Sequence, residues 1–204
     1  MNHNVLTKPL VAVMTALSLF ACGLIGITAA DDSHLEQSYS DLAVSSIMTG
    51  NAPKDFTLSD SSGQQVNLEN ALQTQNILLI FYRGDWCPYC IDQFSTIQSV
   101  LPELKEYNVK LLAVSPDEVS AAKNTKRQFG QGYTFLSDSK LEVTKAYGIA
   151  SEKSLPHPAV YLLKQADSIA ESEVVWMYAS TDHTTRPNGE QLLAKIKTVF
   201  AKVQ

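Results

Sequence analysis

The sequence predicts an α/β domain with a mixed central β-sheet flanked by helices. From residue 51 onward, segments with the pattern of a strand alternate with segments of helical periodicity. The chain then has two more strand-like runs separated by a polar turn, and it closes with an amphipathic helix. A strand–helix alternation followed by a hairpin and a final helix is typical of helices packed on a mixed sheet.

The strands are indicated by short apolar runs bounded by turn residues. Residues 56–58 and 66–68 flank the turn-rich cluster 59–64 and predict a small hairpin. Ile77–Tyr82 is a continuous apolar run, as expected of a strand buried on both faces. The remaining predicted strands are Lys110–Ser115, Tyr133–Leu136, Ala159–Leu163 and Val174–Ala179.

The helices are indicated by apolar residues at helical spacing. One helix begins near Cys90, and Pro102 is expected to kink it or end it. Glu118–Phe129 predicts a polar helix and Leu141–Tyr147 a short one. Gly189–Lys202 predicts an amphipathic helix at the end of the chain.

Composition restricts the classes of protein to which the chain can belong. Of its 204 residues, 45% are hydrophobic and 18% charged, which is typical of a soluble globular domain. The net charge is −5 and no block of Lys or Arg is present, which argues against nucleic acid as a partner.

The first 30 residues predict a secretory signal, in which Lys8 precedes an apolar run. Three endings are considered: a lipoprotein box with Cys22 as the lipidated cysteine, cleavage after Ala30, or retention of the run as an anchor. All three place the protein outside the cytoplasm, either periplasmic or attached to a membrane as a bacterial lipoprotein. Residues 31–50 are polar and predict a tether, so the folded domain is expected over residues 51–204.

Cys87 and Cys90 carry the main chemical signal of the sequence. They follow the buried strand and open the helix, with Pro88 suited to its first turn. A cysteine at a helix N-terminus lies beside unpaired N–H groups that stabilise a thiolate. Because the second thiol is three residues away, it can reach the first. We expect Cys87 to be the more exposed of the two and Cys90 the more buried.

Metal binding and a structural disulfide are the alternative uses of the cysteine pair. A zinc site would need a second pair of ligands, and the domain offers only His157 and His183 at unsuitable spacing. If a metal were bound, copper would be the better candidate in an exported protein. A purely structural disulfide would close too short a loop to stabilise the fold appreciably. Redox chemistry is therefore favoured, with no metal and no cofactor beyond the Cys87–Cys90 disulfide.

The sequence resembles the redoxin, or alkyl hydroperoxide reductase/thiol-specific antioxidant, family. The resemblance is carried by NAPKDFTL at 51–58, FYRGDWCPYC at 81–90, LAVSP at 112–116 and FLSD at 135–138. It is strongest to the peroxiredoxin-like branch that carries a C-x-x-C pair.

The family resemblance implies a thioredoxin fold with an N-terminal β-hairpin extension. It also implies that Pro158 is a cis-proline facing the cysteine pair and that His157 lies near the sulfurs. The residues around the cysteines that would shape the site are Arg83, Trp86, Pro88 and Tyr89.

The active-site stretch departs from the family's pattern at two positions. Alignment on Phe81 places Cys90 at the peroxidatic position, Cys87 where the family has threonine, and Arg83 where it has proline. Arg186 is the best candidate for the family's later arginine, a solvated side chain being the alternative. Helix position nominates Cys87 to attack, whereas the alignment nominates Cys90.

Three functions follow as hypotheses. The first is a thiol-dependent peroxidase that cycles through a Cys87–Cys90 disulfide and is recycled by a thioredoxin-like reductant. The second is a thioredoxin-like reductase or oxidase of disulfides in exported proteins. The third is a copper-binding or copper-delivery protein.

Overall fold

The computed structural model describes residues 47–202. Within this range, seven strands form one sheet. The strands are β1 (Thr57–Asp60), β2 (Gln65–Asn67), β3 (Asn76–Phe81), β4 (Val109–Ser115), β5 (Tyr133–Ser137), β6 (Ala159–Leu163) and β7 (Val174–Ala179). The helices are α1 (Leu68–Leu72), α2 (Pro88–Lys105), α3 (Val119–Phe129), α4 (Glu142–Ala146) and α5 (Gly189–Val199).

The sheet is mixed, as predicted, with the strand order β2-β1-β5-β4-β3-β6-β7. β3 runs parallel to β4 and antiparallel to β6, and β4 runs parallel to β5. The β1–β2 hairpin is confirmed, and it extends the sheet because β1 pairs antiparallel with β5. This is the expected thioredoxin fold with an added N-terminal hairpin.

Alternate residues of β3 belong to two different hydrophobic cores, one on each face of the sheet. Leu78 and Ile80 pack with residues of α2, α3 and α5. Ile77 and Leu79 pack on the opposite face with residues of α1 and α4. This burial on both faces explains the continuous apolar run in the sequence. It also fixes the end of β3, where the cysteine stretch begins, inside the sheet between β4 and β6.

Three details of the helices differ from the sequence predictions. The five-residue α1 was not predicted, because it is too short for periodicity to reveal; Asn67 caps it by accepting from the Asn70 N–H at 2.9 Å. Pro102 does not end α2, which continues to Lys105, and its exposed position lets water satisfy the carbonyl that proline leaves unbonded. Helix α5 ends at Val199 rather than at Lys202.

Candidate active site

The cysteine pair lies where β3 gives way to α2. Cys87 is the N-cap of the helix with an extended backbone, and Pro88 occupies the first helical turn. Cys90 is in the same turn, and the two residues form a disulfide with their Cα atoms 5.3 Å apart. The structure thus places both sulfurs at the positive end of an 18-residue helix, as the sequence predicts.

Both cysteines are buried, and the expected difference in exposure between Cys87 and Cys90 amounts to one percentage point. Their exposed fractions are 1% for Cys87 and 0% for Cys90. The reason is the orientation of α2, whose cysteine face packs into the core that contains Phe94 and Leu78. The exposed positions of the stretch are instead Trp86, Pro88 and Tyr89.

Arg186 contacts the sulfur of Cys90. Its Nη1 donates to Cys90 Sγ at 3.3 Å, and its Nη2 donates to the backbone carbonyl of His183 at 2.6 Å. Burial, helped by the nearby charge of Arg83, lowers the pKa of Arg186 to about 10. Its Nε is buried and has no hydrogen-bond partner among residues 47–202. The solvated alternative for Arg186 is therefore wrong, because the guanidinium is turned inward to the redox pair.

Arg186 is held in place by contacts between its own segment and α2, the helix that carries Cys90. The Nε2 of the buried Gln93 donates to the carbonyl of Pro187 at 2.9 Å. One turn further along α2, Thr96 Oγ1 accepts from the N–H of Gly189 at 3.0 Å. A Cβ on Gly189 would collide with the Thr96 backbone, so α5 can begin this close to α2 only with glycine at that position. The sequence neighbours of Arg186 thus fix its distance from Cys90.

Asp117 organises the loop that leads from β3 to Cys87. Its Oδ2 accepts from the N–H of Asp85 and from the hydroxyl of Ser115, both at 2.9 Å. Gly84 has a φ of +146°, and a Cβ there would lie 2.6 Å from Nε1 of Trp86 and 2.9 Å from Oδ1 of Asp117. Glycine is therefore required for Asp117 to approach this loop closely.

The two exposed aromatic residues beside the disulfide are each held by a neighbour. The guanidinium carbon of Arg83 lies 5.1 Å from the ring centroid of Trp86, which is 57% exposed. The ring of Tyr89, 45% exposed, meets the imidazole of His183 edge-on with centroids 6.1 Å apart. Both rings are thus positioned by a neighbour and remain partly exposed next to the cysteines.

His157 and Pro158 lie immediately before β6, whose first residue pairs with Phe81 at the end of β3. The peptide bond before Pro158 is trans, so the expectation of a cis-proline is wrong. Hydrogen bonds hold the backbone on both sides of this peptide bond. The His157 N–H donates to the Ile149 carbonyl at 2.8 Å, and the Ser180 N–H donates to the Pro158 carbonyl at 3.1 Å. Trans is also the isomer of lower energy, by about 0.5–1 kcal/mol. Burial lowers the pKa of the His157 imidazole, which lines a cleft together with Arg83.

Some of the sequence predictions fall elsewhere in the chain. Cys22, Lys8 and the tether at 31–50 lie outside the described residues, apart from the last four residues of the tether. Within residues 47–202, no helix is both long and apolar enough to cross a membrane. In the same range, no three His, Cys, Asp or Glu side chains are grouped in a way that could hold a metal ion.

The fold and the site together define a thioredoxin-fold protein with a cysteine pair at the start of a helix. Residues 49–172, more than half of the chain, match the model of the AhpC/TSA family. The chain therefore belongs to the AhpC/TSA family, as the resemblance of its motifs indicates.

Similar proteins include two curated peroxiredoxins. Peroxiredoxin Q, chloroplastic, of Suaeda salsa is 29% identical over 129 residues, which cover 62% of this chain and 60% of the relative. Peroxiredoxin Bcp of Escherichia coli K12 is 34% identical over 103 residues, which cover 50% of this chain and 65% of the relative. The match thus spans less than two thirds of the length of either relative.

Solved structures show the same fold at low sequence identity. Peroxidoxin BcpB from Mycobacterium tuberculosis superposes with a TM-score of 0.63 at 19% identity, covering 75% of this chain and 98% of that one. A cysteine-to-serine mutant of PrxQ from Xylella fastidiosa gives a TM-score of 0.64 at 20% identity, covering 76% and 98%.

Asp117 gives the site a pH-dependent stability that can be measured. Burial raises the pKa of Asp117 above its usual 3.8, and the neighbouring Asp85 raises it further, against hydrogen bonds that lower it. The fold therefore favours the protonated form, and this contribution is complete below pH 3.8 and is lost as the pH rises through the raised pKa. We expect wild type to lose stability relative to Asp117→Asn as the pH rises from 3.8, measured by urea unfolding at several pH values.

Two variants control this prediction. Asp92→Asn, at an exposed position of α2, reports the effect of the same chemical change away from the loop. Asp117→Ala removes the acceptor of the Asp85 N–H, and we expect it to lower the free energy of unfolding by roughly 1–3 kcal/mol. Parallel pH profiles for wild type and Asp117→Asn would show that the carboxyl of Asp117 titrates alike in the folded and unfolded states.

Proposed function

We propose that this protein is a thiol-dependent peroxidase that reduces hydroperoxides with Cys90 as the attacking thiol and Cys87 as the resolving one. The contact of the Arg186 guanidinium with Cys90 Sγ, at 3.3 Å, carries this assignment. A cation at this distance stabilises a thiolate and the negative charge that develops as it attacks a peroxide. The names of the curated relatives, peroxiredoxin Q and peroxiredoxin Bcp, support the same activity.

The reaction divides into an oxidation and a resolution step. The Cys90 thiolate attacks one oxygen of the hydroperoxide, the O–O bond breaks, and the alcohol leaves after taking up a proton, so that Cys90 becomes a sulfenic acid. The Cys87 thiolate then attacks Cys90 Sγ, the S–S bond forms, and the hydroxyl leaves as water. Two thiols and one hydroperoxide thereby give one disulfide, one alcohol and one water.

Resolution needs no rearrangement of α2. Cys87 and Cys90 are bonded while the helix is intact from Pro88 onward, and their Cα separation of 5.3 Å is an ordinary one for a disulfide. Because Cys87 is one helical turn from Cys90, the Cys87 thiol is within reach of the Cys90 sulfenic acid as soon as that acid forms. We therefore expect the pair to resist further oxidation to the sulfinic acid.

Recycling of the disulfide requires a reductant, for which we propose a thioredoxin-like protein. Trp86 and Tyr89 are the exposed apolar side chains next to the buried disulfide, and such residues are typical of the centres of protein interfaces. Since the sulfurs themselves are buried, docking on these two rings has to be accompanied by a local opening of the site.

A second candidate function, disulfide exchange with exported proteins, is favoured by the position of Cys87. As the N-cap of α2, Cys87 lies closest to the positive end of the helix dipole. In that mechanism Cys87 attacks the partner's disulfide and Cys90 releases the mixed disulfide.

Single cysteine variants separate the two functions. With Cys90 attacking, reduced Cys87→Ser reacts rapidly with hydrogen peroxide and retains one added oxygen, whereas Cys90→Ser reacts at least about a hundredfold more slowly. Stopped-flow fluorescence of Trp86 gives the rate constants, and mass spectrometry of the intact protein gives the product. A free cysteine peptide serves as the reference thiol.

The opposite result would favour the second candidate. If Cys90→Ser reacts as fast as wild type, or if it traps a mixed disulfide with an oxidised protein substrate, Cys87 is the attacking thiol. Oxidation of wild type no faster than that of the reference peptide would refute the peroxidase.

We further propose that the protein is exported and attached to a membrane through a lipid on Cys22. The proposal rests on the order of Lys8, the apolar run and the Leu19–Gly23 box in the sequence. A mature N-terminus at Cys22 carrying the mass of a lipid is expected in mass spectrometry of protein purified from membranes. A mature chain that begins at Asp31, after ordinary cleavage, would contradict the lipid, and an unprocessed Met1 in the cytosol would contradict export.

A further inference from the structure

A cleft with a volume of about 360 Å³ opens beside the redox pair. Its walls come from the end of β3, the loop before β6 and the loop after β7. Its lining includes Arg83, Glu152, Lys153, His157 and His183. Within this lining, Pro156 and Pro158 are buried and form an apolar floor, while the charged groups surround it.

The charges around this cleft are mostly positive, in a protein whose net charge is −5. Arg83 and Lys153 contribute two cations, against which the lining offers the carboxylate of Glu152. Among residues 47–202, neither cation forms an ion pair within 4.0 Å. The half-buried His157 has a lowered pKa and is neutral at pH 7, so that its ring presents one donor and one acceptor. The cleft is thus suited to an anion that also has an uncharged part.

The cleft is connected to the cysteines through two of its residues. The carbonyl of His183 accepts from Arg186, whose other nitrogen contacts Cys90 Sγ. Arg83 precedes Cys87 by four residues and lies over the ring of Trp86. Two residues of the cleft lining, His183 and Arg83, therefore contact residues that lie next to the cysteines, namely Arg186 and Trp86.

The size of the cleft indicates what it accommodates. Hydrogen peroxide has two heavy atoms, whereas cavities of about 300–1,000 Å³ are typical of sites for small organic molecules. An arginine that has no carboxylate partner offers paired N–H groups with the geometry that a carboxylate accepts.

We propose that this cleft binds the carboxylate of a small organic molecule that takes part in the redox cycle, with Arg83 and Lys153 as its ligands. Two sources share this chemistry. One is a hydroperoxide that bears a carboxylate and oxidises Cys90. The other is a low-molecular-weight thiol that bears carboxylates: two such thiols reduce the Cys87–Cys90 disulfide to two thiols and leave as their own disulfide. The redox role rests on the proposed function, whereas the binding site does not.

Binding is tested first, with unreactive probes and the oxidised protein. S-methylglutathione and octanoate are titrated by calorimetry, each beside a counterpart that lacks the carboxylate charge, the diethyl ester and octanamide. We expect at least one carboxylate to bind more tightly than its counterpart, and we expect Arg83→Gln and Lys153→Gln each to weaken it about tenfold or more. Lys105→Gln is the matched control, because Lys105 is exposed at the far end of α2, about 25 Å from Pro88.

Two results would overturn the cleft as a carboxylate site. One is that neither carboxylate binds more tightly than the counterpart that lacks its carboxylate charge. The other is that Lys105→Gln weakens binding as much as the two cleft variants do. Both results can be obtained whether or not the protein reduces peroxides.

Kinetics then distinguish the two sources. For reduction of the disulfide, the rate constant of mercaptoacetate is divided by that of 2-mercaptoethanol, each expressed per thiolate. For oxidation of the dithiol, the rate constant of a carboxylate-bearing hydroperoxide is divided by that of tert-butyl hydroperoxide. If the cleft binds the thiol, we expect the thiol ratio to fall about tenfold in Arg83→Gln and Lys153→Gln. If the cleft binds the hydroperoxide, we expect the hydroperoxide ratio to fall by the same factor. Ratios unchanged by both variants would contradict a role of the cleft in the cycle, while slow oxidation by every peroxide would count against the peroxidase alone.

Discussion

The burial of the Arg186 guanidinium against Cys90 is the interaction on which the account of this site depends. A guanidinium is not neutralised at physiological pH, and even the lowered pKa of about 10 leaves Arg186 charged. Taking that charge out of water costs free energy that the uncharged disulfide does little to offset. A thiolate at Cys90 would offset it better. The buried Arg186 guanidinium therefore favours the reduced, ionised state of Cys90. The same environment is suited to attack on a peroxide.

The fold brings these two residues together from distant parts of the chain. The two-sided burial of β3 fixes the start of α2 and with it Cys90, while the β6–β7 pair returns the chain to the same end of the sheet. Gln93 and Thr96 then bind the segment that carries Arg186 directly to α2. Asp117 holds the loop on the other side of the cysteines. Hydrogen bonds of the loops that follow β3, β4 and β7 thus hold the segments around the reactive pair.

Much of this arrangement could be predicted from the sequence, because apolar runs and turn residues report local structure directly. The strands, the hairpin and the cysteine pair at the start of a helix are examples. The burial of Cys87 could not be predicted, since it depends on how α2 is rotated against the sheet. The Arg186–Cys90 contact joins residues 96 apart, so no local pattern predicts it; only the family resemblance singles out Arg186. Asp117 could have been anticipated: it follows β4, and the carboxyl ends of the parallel strands β3 and β4 meet at one edge. The cis bond before Pro158 was expected from the family resemblance alone, and the bond is trans in this changed active site.

The pKa of the Cys90 thiol shows whether Arg186 stabilises the thiolate. It is measured in reduced Cys87→Ser from the pH dependence of the thiolate's ultraviolet absorbance, alone and combined with Arg186→Gln. Arg127→Gln, which removes an exposed arginine of α3, is the matched control. We expect a pKa well below the value of about 8.5 for a free thiol, raised by at least about one unit on loss of Arg186 and unchanged on loss of Arg127. A pKa at or above that of a free thiol, or one indifferent to Arg186, would contradict the assignment of Cys90 as the attacking group.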